Sequence, residues 1–390
     1  MLNIGIDIAS KKHDCCIMGA TGAVLTPVFT FENNAEGFGV LLKNIRNHER
    51  DASQVRVGLE STGHYGDNLI SFLKSEGFSI TVFNPLQVDL YRKAGTLRKT
   101  KTDKADAKFI AQMLFTTENS NRADTRPEIV ELKALVRHRN RIKAMRTKLK
   151  VSIARLVSVL FPELPSVVSS IHQSSCYAML LEFPSAHDIS NCHLTRLGNL
   201  LAESSRNRYG RDKAVEIKTL ASKSIGKDSR AISFELQQTI RLISNISAEI
   251  TMLDKEIKSL MIEINSPILT IPGISYNLGS VILSEIGNIE NFANPSKLLA
   301  FAGLEPSTHQ SGNYQATRVG MVKRGSSHLR WALLQAAQLA VKYDPTFRAY
   351  AQKKEQEGKH YFVVLNHTGK KLLRVIFHLL KNNQAYIAAA

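Results

Sequence analysis

The segment RKTKTDKADAKFIA, residues 98–111, sets Asp103 and Asp106 three positions apart among Arg98, Lys99, Lys101, Lys104 and Lys108. On a helix, positions i and i+3 share a face, so the two carboxylates point the same way. Alone, such a pattern reads as a salt-laced surface helix. Two further acids stand where a half-buried strand has no need of them: Asp7 interrupts the apolar run LNIGIDI, and Glu60 ends VRVGLE. Taken singly, each is a turn or cap residue. Brought to one point, four carboxylates repel one another unless a cation binds between them. Hard oxygen donors select Mg²⁺ or Mn²⁺, and two such ions about 3.5 to 4 Å apart polarise a phosphodiester, activate a nucleophile and stabilise the leaving oxygen. The chemistry indicated is cleavage or transfer of a nucleic-acid strand, with Lys99, Lys101 and Lys104 holding backbone phosphates.

That convergence needs a sheet with the Asp7 strand at its centre and the Glu60 strand beside it. Residues 2–121 alternate in the required way. LNIGIDI is a strand, DCCIMGATGAVLTPVFTFEN is two strands around an Ala-Thr-Gly turn, and Asn33 or Asn34 caps a helix that runs through Ile45. VRVGLE, the helix HYGDNLISFLKSEG and the strand FSITVFNP follow, then the helix of Asp103 and Asp106. A hairpin followed by crossover helices makes a mixed sheet.

From about Glu128 the pattern turns to long helices. Ile142, Met145, Leu149, Ile153, Leu156 and Leu160 recur at steps of three and four, as do apolar residues from Ile232 to Ile264. The pair predicts an antiparallel coiled-coil arm, with short helices and loops over the Ser-rich residues 166–225. The first arm helix carries Arg137, Arg139, Arg141, Lys143, Arg146, Lys148 and Lys150 with no acid among them. Unbalanced by acids, that face is a candidate nucleic-acid contact. After Ser266, LTIPGISYNLGSVILSEIG has a Pro-Gly turn between helical patterns, like a helix-hairpin-helix element. A polar segment, a helix in which Trp331 and its Leu/Ala stripe read as core, and an amphipathic helix over roughly Lys370 to Lys381 close the chain. The fold class is α/β plus α, divided at 1–125, 126–265 and 266–390.

Composition agrees with a polyanionic partner. Of 390 residues, 51 are Lys or Arg and 34 are Asp or Glu, a net charge of +17 that points to DNA or RNA. No run approaches 18 apolar residues and the first residues enter a strand pattern, which predicts a cytoplasmic protein with no membrane partner. The four cysteines, Cys15, Cys16, Cys176 and Cys192, lack CxxC spacing and read as reduced thiols.

GIDIASKKHD, GLESTGHYG and KTDKADAKFIA together resemble the Asp-Glu-Asp-Asp signature of a RuvC-like, RNase H-type domain. Their wording resembles the insertion-sequence transposases of the one-ten family, the bridge-RNA-guided recombinases. IPGISYNLGSVILSEIG, FAGLEP, QSGNYQATRVGMVKRGSSHLR and KYDPTFRAY resemble the second domain of that family, so the likeness spans nearly the whole chain. The resemblance implies that Asp7, Glu60, Asp103 and Asp106 bind divalent metal and that Ser311, in His309-Gln310-Ser311-Gly312, attacks a DNA phosphate to form a phosphoserine link. By sequence alone Ser311 is an ordinary loop serine, no more distinctive than Ser307, Ser326 or Ser327. The likeness further implies Lys323, Arg324 and Arg330 as charge-balancing or clamping cations, a structured guide RNA, and a tetramer, a dimer of dimers, whose subunits complete one another's sites. The sequence departs from the family at Gly66, where an aromatic commonly stands. Two other classes fit parts of the chain. A Holliday-junction resolvase or nuclease using metal-activated water would keep the four acids and have no use for Ser311. An architectural nucleic-acid-binding protein would use those acids only in salt bridges.

Overall fold

A computed structural model describes the chain except for residues 62, 64, 96–102, 117–125, 307–309, 312–313, 316–319 and 389–390; the side chains of Asp103, Gln310, Ser311, Tyr314 and Gln315 also lie outside the description. Two compact units result, Met1–Ala123 and Asp124–Ala390.

The first unit runs β1 (Leu2–Ile8), β2 (Lys12–Met18), β3 (Val24–Glu32), α1 (Ala35–Arg46), β4 (Val55–Glu60), α2 (Asp67–Ser75), β5 (Ser79–Phe83), α3 (Pro85–Gly95) and α4 (Asp103–Thr116). The sheet order is β3-β2-β1-β4-β5. β1 pairs antiparallel with β2 and parallel with β4, which makes the mixed sheet that the hairpin-then-crossover order predicts. Asn34 caps α1 by accepting from the Gly37 amide at 2.8 Å, the turn chemistry that ends β3 and starts the helix.

Strand alternation divides the sheet into two unlike faces. Leu2, Ile4, Ile6 and Ile8 of β1, with Val55, Val57 and Leu59 of β4, form one core with Leu41, Ile45, Leu69 and Leu73 from α1 and α2. The other face presents Gly5 and Asp7 from β1 and Gly58 and Glu60 from β4, and α4 lies against it. The approach is close. A methyl group on Gly5 would sit 2.1 Å from the Ala107 carbonyl oxygen and 2.3 Å from the Ala111 nitrogen. Ile110 and Leu114, both fully buried, anchor the helix with Phe83, each contributing roughly 1.5–3 kcal/mol by burial. Gly66 lies close to the first core: a Cβ there would meet the side-chain end of Ile8, Cδ1, at 2.6 Å, so an aromatic at this position requires Ile8 to move.

The second unit is helical. α5 (Pro127–Leu160) and α10 (Arg230–Ile264) have 34 and 35 residues. They run antiparallel, as ion pairs Arg139–Asp254 and Arg155–Glu235 fix the register. Between them in sequence, α6 (Ser174–Glu182), α7 (Ala186–Asn191), α8 (Leu194–Ser205) and α9 (Arg211–Ala221) pack onto one end of the pair. Onto the other end pack α11 (Tyr276–Ile286), α12 (Pro295–Ala302), α13 (Ser327–Tyr343), α14 (Pro345–Gln356) and α15 (Tyr361–Asn382). The helices therefore join two cores. Ile153, Leu156 and Leu160 serve one, while Ile129, Leu132 and Val136 serve the other. The stretch between them differs from the continuous buried stripe that the spacing predicts at Met145, which is 56% exposed.

Three other expectations change. The Pro272-Gly273 turn joins α11 to a 3₁₀ segment, Pro267–Thr270, in place of a preceding α-helix. α15 begins at Tyr361, nine residues before the first Lys of the expected span, because its apolar face starts at Val364. Trp331 is 48% exposed and not core. The buried stripe of α13 is Leu329, Ala332, Leu333, Ala336, Ala337 and Ala340, a spacing that turns position 331 outward. α3 and α14 are additional helices beyond those the sequence patterns predict. No described helix is long and apolar enough to cross a membrane.

Gly5→Ala tests the close seat of α4. Because the clash is with backbone, the substitution is expected to destabilise the protein by roughly 1–3 kcal/mol, read as a lower urea midpoint. An unchanged midpoint would show that α4 is not seated there.

Candidate active site

Asp7 and Glu60 each lie two residues beyond the registered pair Gly5–Gly58 in neighbouring parallel strands. An even step keeps both on the face that α4 covers, and adjacent strands run about 4.8 Å apart. Asp106 immediately precedes Ala107, the residue whose carbonyl oxygen overlies Gly5, and is only 4% exposed. Strand order, register and helix seat thus bring three of the four expected acids to one face. The fourth, Asp103, starts the same helix one turn earlier, but its side chain lies outside the described residues. Among the described side chains, no three His, Cys, Asp or Glu residues form a metal-holding group. Asp106 instead has Arg92 of α3 at 3.5 Å, a guanidinium that also binds Asp89.

A fifth acid joins this face. Asp14 of β2 is the cross-strand partner of Asp7, is buried, and accepts a hydrogen bond from Thr30 Oγ1 at 2.5 Å. Its signal in the sequence is the one that marks Asp7, an acid within an apolar strand, HDCCIM. Burial pushes the thiols of Cys15, Cys16, Cys176 and Cys192 up, so they stay protonated and unreactive at neutral pH.

The basic residues divide by what they already touch. Lys104 is exposed, while Lys99 and Lys101 lie outside the described residues. On α5, Arg141 and Lys148 face solvent and Arg146 is half-buried. Lys143 has its pKa lowered by burial first and then by Arg139 and Arg146. Arg139 is buried against Asp254, and Arg137 binds Glu285 through Nε at 3.0 Å and Nη2 at 3.2 Å. Lys323 and Arg324 are exposed, whereas Arg330 donates from Nη1 to the carbonyl oxygens of Ala302 and Lys323.

Ser311 belongs to β6 (Gln310–Ser311), which pairs antiparallel with β7 (Tyr314–Gln315). Its hydroxyl, like Ser307, lies outside the described residues. The base of the segment is described on both sides: Pro306 bridges Met321, and the Val322 amide donates to the Glu305 carbonyl oxygen at 2.9 Å. Ser327 is exposed at the start of α13, and Ser326 caps that helix by accepting from the Leu329 amide. Ser326 Oγ donates to Glu285 Oε2 at 2.7 Å. Gly325 reaches this turn with φ of +110°, and a Cβ there would strike the Phe301 carbonyl oxygen at 2.1 Å.

Glu285 is the one acid buried on α11. Burial acts to raise its pKa, but hydrogen bonds from Arg137 and Ser326 and the nearby charge of Lys133 outweigh that and hold the carboxyl below its ordinary value. Its folded value being depressed, the carboxylate contributes stability above pH 4.5, the ordinary value, which is lost as pH falls through the lowered one. Replacing Glu285 by Gln is therefore expected to flatten the fall of stability on the acid side, measured by denaturant unfolding at stepped pH; an unchanged slope would contradict the pairing.

Comparison with known proteins fits both halves of the chain. Residues 4–162 match the DEDD transposase family of the IS110 type, and residues 265–352 match the Transposase IS116/IS110/IS902 family. The chain is 25% identical to the pilin gene-inverting protein of Moraxella bovis, over 98% of this chain and 97% of the relative. It has the same identity and coverage with the pilin gene-inverting protein of Moraxella lacunata. A transposase for insertion sequence element IS1111A from Coxiella burnetii is 34% identical over 19% of this chain and 20% of its own length. With these two domains in order on one polypeptide, and relatives aligned along nearly its whole length, the chain belongs to the IS110 family of transposases.

Proposed function

We propose that this transposase cuts and rejoins DNA by attack of the Ser311 hydroxyl on a phosphodiester, assisted by divalent metal held at Asp7, Glu60, Asp103 and Asp106. The observation that carries this proposal is the registered placement of Asp7 and Glu60 on the face where α4 lays Asp106. The donor set, all carboxylate oxygen, suits Mg²⁺ or Mn²⁺. Bound there, the ions would lower the pKa of an attacking hydroxyl and neutralise charge on the phosphate. Antiparallel pairing through β3-β2-β1 followed by parallel pairing through β1-β4-β5 supports a RuvC-like reading of the first unit.

Each remaining residue has a simpler task. Ser311 forms the oxygen–phosphorus bond as the original sugar oxygen departs, conserving the phosphoester for rejoining. Lys323 and Arg324, both exposed, meet phosphate oxygens, and Arg330 holds the loop from which they extend. The outward cations of α5, chiefly Arg141 and Lys148, and the exposed Lys104 contact backbone phosphates. Net charge of +17 favours both a DNA substrate and a structured guide RNA. The proposed assembly is a tetramer built through the coiled-coil arm of α5 and α10. The protein acts in the bacterial cytoplasm on the nucleoid.

Incubation with DNA and Mg²⁺ followed by denaturing electrophoresis is expected to show a protein–DNA adduct. Ser311→Ala should abolish it, and Asp7→Asn should slow its formation by at least about 10³-fold. Cleaved DNA without an adduct, and equal cleavage by Ser311→Ala, would assign the reaction to metal-activated water. Protein purified from cells carrying the whole element is expected to retain one defined RNA; recovery of random fragments alone would exclude guided recognition.

A further inference from the structure

We infer that Glu285 is a positioning residue that ties the segment carrying Ser311 to α5. This rests on the proposed role of Ser311, but the connection itself stands on described contacts.

Glu285 sits on α11 among Val281, Ile282 and Ile286, with its side chain 1% exposed. A buried carboxylate is a poor way to gain stability, since apolar replacements often serve as well. What it supplies is direction. Its oxygens receive donors from two separate elements: Arg137 on α5, through two guanidinium nitrogens, and Ser326 at the entrance to α13. Ser326 is also fixed through its backbone, whose amide donates to the Phe301 carbonyl oxygen at 2.8 Å. From there the loop is held step by step: Arg330 grips the Lys323 carbonyl, Val322 bonds Glu305, and Met321 bridges Pro306. Both ends of the 307–320 segment are therefore referred to one buried charge. Shifting the Ser326 hydroxyl moves the frame from which β6 and β7 extend, while leaving the outward cations of α5 in place.

Two measurements on the full-length protein test this. Hydrogen–deuterium exchange of peptides covering residues 298–330 should rise in Glu285→Gln and in Ser326→Ala, while Ser326→Thr, which keeps the hydroxyl, should stay near wild type. Circular dichroism confirms that each variant is folded. At saturating DNA, Glu285→Gln should form the adduct about tenfold more slowly, the size expected for losing one charge-assisted hydrogen bond, with less than a twofold change in DNA affinity. Unchanged exchange in a folded Glu285→Gln overturns the inference, whatever the adduct assay gives. Loss of rate with an equal loss of affinity also overturns it, because Glu285 would then act through DNA binding at Arg137. Wild-type protein that forms no adduct, with exchange still raised in Glu285→Gln, refutes the serine chemistry and leaves the tether standing.

Discussion

The first unit is organised by one close contact, the backbone of α4 lying on Gly5 of the central strand. No other residue leaves room: the space a Cβ would fill is occupied by the Ala107 carbonyl and the Ala111 backbone. Ala107 and Ala111 are themselves four apart and small, so strand and helix meet along a seam without bulky side chains. Because Gly5 also sets the parallel register with Gly58, the same contact decides where Asp7 and Glu60 stand relative to Asp106. Packing and acid placement in this unit are one problem with one solution.

The second unit solves a different problem, how to hold polar groups inside a helical body. Buried Asp344 accepts from the Phe347 amide of its own helix, while two other buried charges find partners on other elements. Arg139 meets Asp254 between α5 and α10, and Glu285 meets Arg137 and Ser326. Much of the remaining interior is Leu, Ile and Ala on helical spacing. Paired charges of this kind add little net stability, yet they penalise every register but one, since a slip strands an ion without its partner.

How much of this was legible in the residues follows from what kind of signal each element leaves. The five strands along the chain, and the central place of the Asp7 strand beside that of Glu60, were readable because a period of two is hard to mistake over LNIGIDI and VRVGLE. Asp7 and Glu60 stood out as breaks in that alternation. Asp14 makes the same break, but its importance depends on cross-strand register with Asp7, which only the hairpin reveals. α3 was hidden by the Asn84-Pro85 pair, which ends a strand and caps a helix at once, as the Leu86 amide donates to Asn84 Oδ1. The seven cations of residues 137–150 in α5 look alike as letters. Which of them face inward is set by Asp254 and Glu285, more than a hundred residues away in sequence. Ser311 left no physical mark at all; only resemblance raised it above its neighbours.

The paired helices carry a further consequence for how such a chain can change in length. Each serves a core at either end, with a largely uncovered stretch between. Deleting a single residue from that stretch of α5 would turn one end about 100° against the other and rotate Ile153 and Leu156 out of their core. Seven residues are nearly two whole turns, and removing seven from both helices together would restore each face. Length changes that keep both cores packed are thus expected to be matched in the two helices and close to whole turns, about seven, eleven or eighteen residues, a stepped ruler for the separation of the two cores.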